Sequence, residues 1–241
     1  MEPLDFLNGS LSLIVVAISF YVGLHILSKY FTLKKKEFLL VGLVAIFTSE
    51  PWWPHVISFF LALASMAPLT EQSYFLIGNI FIPIAILCWL MALTKFMWDE
   101  KKKVILIFGL LYVIIYEIIL LSFIYIIDYQ LIGETIGAVD VQYKPLMIIL
   151  LITALAIILP TGLLFARESL KSDNKEVRLK GKFLIIAFVC FCAGATVDVL
   201  ILSDPFSLII ARTLLVAASI GFLGGFIPPD WLKKMFLQKE S

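Results

Sequence analysis

Charge is scarce in this chain. Only 15% of its 241 residues are Asp, Glu, Lys or Arg, while 61% are hydrophobic and the mean hydropathy is +1.03. A soluble domain is nearer a quarter charged and half apolar, so a water-soluble globule is excluded. Histidine is rarer still: only His25 and His55 are present. Zinc hydrolysis needs a larger set of protein ligands than that. The three cysteines, Cys88, Cys190 and Cys192, all fall inside apolar runs. Cys190 and Cys192 are two residues apart and point to different helix faces. Neither a disulfide nor a metal site is expected from them. No Gly-x-Ser-x-Gly elbow and no phosphate-binding loop occurs, so the chain reads as a non-enzyme without a cofactor. The net charge of +1 gives no sign of a nucleic-acid partner. The opening Met1-Glu2-Pro3-Leu4-Asp5 lacks a basic n-region, and a retained first helix is expected rather than a cleaved signal.

What is present is a series of apolar runs, and a spanning helix needs about 20 such residues. Seven helices are expected, at 11–28, 38–66, 74–97, 103–127, 145–167, 182–203 and 206–228. The fold class is therefore all-α, an integral membrane seven-helix bundle forming a single domain over residues 1–241. The second run is interrupted by Pro51 and Pro54, and the fifth carries Pro160 near its end. The basic residues orient the bundle. Lys29, Lys34–Lys36, Lys95, Lys101–Lys103, the segment Arg167–Lys182 and Lys233, Lys234 and Lys239 put 17 of 19 Lys and Arg on one side. The exceptions are Lys144 and Arg212. The opposite side carries Glu2, Asp5, Glu71, Asp128, Glu134, Asp140 and Asp204. This pattern fits a multi-pass cell-membrane protein with its N-terminus outside and its C-terminus in the cytoplasm. The same basic loops could dock a cytoplasmic protein or anionic lipid, although topology alone accounts for them.

Charged residues inside a bilayer point to function. Four lie within the runs: Glu50, Glu117, Asp198 and Arg212. Asp198 sits about five residues before the tight link at Asp204-Pro205 and Arg212 about seven after it, which puts both at one depth at ~1.5 Å per residue. An ion pair between helices six and seven is expected. Glu50 and Glu117 both fall near mid-membrane and could share a proton or bind a cation. A plain hydrogen-bonded acid is the alternative, above all for Glu117. Glu50 belongs to Thr48-Ser49-Glu50-Pro51-Trp52-Trp53-Pro54-His55. Two prolines there remove helical hydrogen bonds, two tryptophans offer flat surfaces and His55 can titrate. This reads as the rim or floor of an outward-opening pocket, with Asn79 of helix three beside it. The alternative is a kink whose tryptophans anchor at the interface.

The helix count matches that of rhodopsins, but helix seven has no lysine for a retinal Schiff base. The Asp-Arg-Tyr and Asn-Pro-x-x-Tyr patterns of animal seven-helix receptors are also missing. The close of the last run is Ala211-Arg212-Thr213-Leu214-Leu215, followed by Gly221-Phe222-Leu223-Gly224-Gly225-Phe226-Ile227-Pro228-Pro229-Asp230-Trp231-Leu232-Lys233-Lys234. It resembles the end of the seven-helix N-terminal membrane sensor region of prokaryotic histidine kinases. Seven residues follow Lys234, so the resemblance implies a stand-alone, archaeal-type seven-helix protein whose output passes through a separate partner.

Two functional expectations follow. The first is a receptor-like sensor that binds a small apolar or amphipathic ligand from outside through Glu50, Trp52, Trp53, His55 and Asn79. In it, Glu117, Asp198 and Arg212 form the intramembrane charge network, and signalling runs through the cytoplasmic loops. The second is a transporter or proton/cation pathway using Glu50 and Glu117. A structural membrane scaffold is the bland alternative.

Overall fold

A computed structural model describes residues 1–200 and 204–237. The apolar runs are helical because a bilayer offers no partner for open backbone groups. Helix α1 spans Pro3–Leu33, with proline in its first turn and Glu2 and Asp5 bonded reciprocally at its start. It is therefore longer at both ends than the sequence suggests.

The expected second helix is broken. Helix α2 (Lys36–Phe47) stops four residues before Pro51, whose ring excludes the helical carbonyl at that distance. A 3₁₀ turn at Glu50–Trp52 leads into α3 (Trp53–Leu63). Two hydroxyls at the break fold back on the preceding turn: Thr48 Oγ1 donates to Val44 O (2.8 Å) and Ser49 Oγ to Ile46 O (2.7 Å), carbonyls that also accept backbone amides. The third expected helix, 74–97, is broken too. Helix α4 (Glu71–Asn79) ends four residues before Pro83, and α5 (Ile82–Phe96) begins afresh. Helices α6 (Lys102–Tyr125), α7 (Pro145–Leu170), α8 (Lys175–Leu200), α9 (Pro205–Phe226) and α10 (Asp230–Leu237) follow. Pro160 stays inside α7. Ser203, the expected end of helix six, and Lys239 lie outside the described residues.

Among the described residues, six helices are long and apolar enough to cross a membrane: α1, α4–α5 taken together, α6, α7, α8 and α9. This is the build of a multi-pass membrane protein. The α2–α3 stretch, whose halves have 12 and 11 residues, is not among the six.

Helices α8 and α9 pair closely, α7 packs on α8, and α1 lies against α9, α2 and α3. Helix α5 sits between α2 and α6 and reaches α7. The α4–α5 span is central, with 61% of its apolar window buried, whereas α6 is at the rim with 17%. The α1–α2 crossing is close because two glycines meet. A Cβ on Gly42 would lie 2.7 Å from Gly23 O, and one on Gly23 would lie 2.8 Å from Gly42 O.

The two ends of the bundle differ in chemistry. At one end Lys95 pairs with Glu37 (3.6 Å), and Lys180 and Lys233 share Glu176 (3.2 Å each), tying α10 to α8. The other end carries a β-hairpin, a departure from the all-α expectation. Strands β1 (Gly133–Ile136) and β2 (Asp140–Tyr143) pair antiparallel, Gly133 opposite Tyr143 and Ile136 opposite Asp140. Gly137 turns between them at φ +62°, a left-handed conformation that glycine adopts without strain.

Candidate functional site

The hairpin roofs the bundle because five helical side chains hold it. Asp5 Oδ1 accepts from Ala138 N (3.2 Å), next to Gly137. Glu71 Oε1 accepts from both the amide and the hydroxyl of Thr135 (3.0 Å each). Tyr74 OH lies 2.9 Å from Val139 O and 3.0 Å from His55 Nδ1. Asn79 Nδ2 donates to Tyr143 OH (3.2 Å) and to Phe75 O (2.8 Å). His55 Nε2 completes the set at 3.3 Å from Asp140 Oδ1. Tyr74 has one hydroxyl hydrogen and can serve Val139 or His55, not both. If Tyr74 donates to His55 Nδ1, the neutral ring carries its hydrogen on Nε2, facing the Asp140 carboxylate; if Tyr74 donates to Val139, Nδ1 is the ring donor to the Tyr74 oxygen.

Beneath β2 lies a cavity of about 60 Å³. Its walls come from the α2–α3 break (Thr48, Pro51, Trp52, His55), from α5 (Ile82, Ala85), from α7 (Leu151, Ala154, Leu155, Ile158) and from α8 (Phe191, Ala195, Asp198, Val199). Asp140, Val141 and Tyr143 of β2 close it on the hairpin side. Most of the wall is aliphatic or aromatic, with a few polar groups placed among it, the usual make-up of a small-molecule site.

Asp198 links this cavity to a buried charge network. Its Oδ1 accepts from Arg212 Nη1 (2.5 Å) and its Oδ2 from the Trp52 indole (2.8 Å). Arg212, only 2% exposed, also donates through Nη2 to Asn8 Oδ1 (2.9 Å) and lies 5.6 Å from the Trp52 ring centroid. Ser12 Oγ donates to the same Asn8 oxygen (3.2 Å). Arg212 Nε has no partner among the described residues. One guanidinium thus joins α9 to α8, to α1 and, through its approach to Trp52, to the break in helix two.

The remaining candidates lie elsewhere. Glu50 is fully buried but does not line the cavity. Both its oxygens accept from Phe81 N (2.8 and 2.7 Å) at the start of α5, where the open amides and the helix dipole favour a carboxylate. Pro83 exposes that amide end, and Glu50 fills it. Trp53 points away from the cavity, between Phe20 and Phe81 (ring centroids 5.5 and 5.9 Å), and donates to Ser49 Oγ (3.1 Å). Asn79 supports the roof through Tyr143, while its Oδ1 has no partner among the described residues. Both Glu117 oxygens and the neighbouring Tyr116 hydroxyl are buried without partners there, and no hydrogen bond joins Glu117 to Glu50.

Sequence reasoning missed the hairpin and therefore Asp140 and Tyr143. The signal was present: short alternating runs, Gly133-Glu134-Thr135-Ile136 and Asp140-Val141-Gln142-Tyr143, flank a glycine turn. Asn8 was missed as well. Asp5, Asn8, Ser12 and Ser19 recur at helical spacing and form a buried polar stripe on α1. No family model, characterised protein or solved structure matches this chain.

Proposed function

We propose that this is a receptor-like sensor of the cell membrane that crosses the bilayer seven times. The α2–α3 stretch supplies the seventh crossing. The N-terminus and the hairpin face outward, and the lysine-rich end and α10 face the cytoplasm, an orientation that the distribution of basic residues supports. A small amphipathic ligand occupies the cavity beneath β2.

The observation that carries this reading is the shared position of Asp198. It lines the cavity and also holds Arg212, the cation that ties α8 to α9 and α1. An occupant that competes for Asp198 acts on that joint. At its far end α8 carries Glu176, which Lys233 of α10 grips. Displacement of α8 would thus reach a cytoplasmic partner at the basic loops. The likeness of the α9–α10 junction to the sensor region of histidine kinases points the same way. The test is ligand screening by thermal shift in lipid nanodiscs, with Ala154→Leu as the cavity-filling control. A ligand that stabilises the wild type and not Ala154→Leu supports the reading. Equal stabilisation of both rejects it.

A second reading, a proton or cation pathway, rests on one specific feature. Two neighbouring helices are broken side by side, and Glu50 of one caps the other, as in transporters that build their sites from discontinuous helices. Flux in proteoliposomes that is lost in Glu50→Gln or Glu117→Gln would favour it.

A further inference from the structure

We propose that the cavity beneath β2 selects a small primary ammonium with a short alkyl body. This rests on the ligand-binding reading above and names the ligand class.

The cavity wall includes two carboxylates, Asp140 and Asp198, and no lysine or arginine. Arg212 is not part of the wall. Asp140 and Asp198 are neither solvent-exposed nor sealed off, with side chains 15% and 18% accessible. A carboxylate has about four acceptor positions. Asp198 uses one for Arg212 and one for Trp52, which leaves acceptor capacity for a donor entering from the cavity. Tyr143 OH already accepts from Asn79, so its own hydrogen is a donor and its oxygen keeps one acceptor position. An anionic ligand would face two carboxylates across apolar walls, where like charges are poorly screened. A neutral alcohol would use the acceptors without the charge. An ammonium uses both.

Size and shape narrow the class. Each water-sized occupant takes about 10–15 Å³, so a cavity of about 60 Å³ holds on the order of four to six heavy atoms. Trp52, Phe191 and the α7 residues Ala154 and Ile158 give the alkyl part an apolar bed, and aromatic rings also favour a nearby cation.

The test uses the full chain in zwitterionic nanodiscs and three probes of one length: n-butylammonium, 1-butanol and butyrate. Binding is read from thermal shift and tryptophan fluorescence. Charge-assisted hydrogen bonds predict half-saturation by butylammonium at about tenfold lower concentration than by butanol, with no response to butyrate. Asp140→Asn keeps an oxygen to accept from the Val141 amide and removes the charge. It should erase most of the butylammonium advantage over butanol. Ala154→Leu should weaken both. Equal binding of all three probes, or a preference for butyrate, overturns the ammonium assignment and leaves the ligand cavity standing. A butylammonium preference unaffected by either variant places binding elsewhere and overturns it too. No response to any probe overturns both the assignment and the cavity reading.

Discussion

Asp198 and Glu117 are both acids set in long apolar helices, and the regions that hold them differ in almost every respect. Asp198 stands where α8 meets α9, with α1 and the α2–α3 break close by. Donors reach it from two directions, Arg212 and Trp52, and Arg212 is held in turn by Asn8. Glu117 sits on α6, whose apolar span is only 17% buried and which packs chiefly on α5. Both its oxygens are buried, and no donor among the described residues reaches them. The number of helices converging on a site decides whether a carboxyl in a bilayer finds a partner, because each neighbour adds a face that can carry a donor.

The largest effects are expected at the crowded site. Asp198→Asn or Arg212→Gln strands the other charge in the interior, at a cost of about 3–5 kcal/mol each. The double variant should cost clearly less than the sum, since neither charge is then left alone. Unfolding of the three variants in detergent checks this. Simple additivity would break the comparison, because the two charges would then be no better partnered than Glu117.

Glu50 is the intermediate case, an acid partnered by backbone rather than by a cation. Glu50→Ala should cost about 1–3 kcal/mol, the price of leaving the Phe81 amide without its acceptor. Hydrogen exchange should rise in the first turn of α5. A loss of stability without that local change would place the role of Glu50 elsewhere.

How far the sequence reveals each site follows from the same physics. Two opposite charges spaced evenly about a tight link are readable, because helical rise fixes their depth and the link makes their helices neighbours. Pro51 and Pro54 mark the break in helix two for an equally local reason. The partners of Glu50 could not be read, since its acceptor role depends on Pro83 opening helix three beside it, and two separate runs must be in contact before that amide is available. The roof went unseen for the same reason. Asp5, Glu71, Tyr74 and His55 are spread over three helices, and only the fold brings them to one hairpin. Trp53, adjacent to Trp52 in the chain, lies away from the cavity because successive helical residues face different directions.

The hairpin anchors should matter less to the bundle than the buried charges do. Glu71→Ala removes one acceptor that serves two donors of Thr135. A loss of about 0.5–1.5 kcal/mol is expected, with faster amide exchange across 133–143 and an unchanged helical core. If exchange rises equally in α8 and α9, the roof is not a separable unit.

The smallest effect is expected at Glu117. Nothing among the described residues donates to it, so Glu117→Gln breaks no bond, and Glu117→Leu removes a buried polar group that gains nothing from its surroundings. Replacing an unsatisfied group by an apolar one of similar size is neutral or stabilising, and α6 at the rim has room to adjust. Both variants should unfold within about 1 kcal/mol of the wild type, with Glu117→Leu at least as stable as Glu117→Gln. A loss above about 2 kcal/mol in Glu117→Leu would mean that the carboxyl has a partner not supplied by the described side chains, such as a buried water or a bound cation. The contrast with Asp198 would then dissolve, and the pathway reading, in which Glu117 relays a proton or cation toward Glu50, would gain its first energetic support.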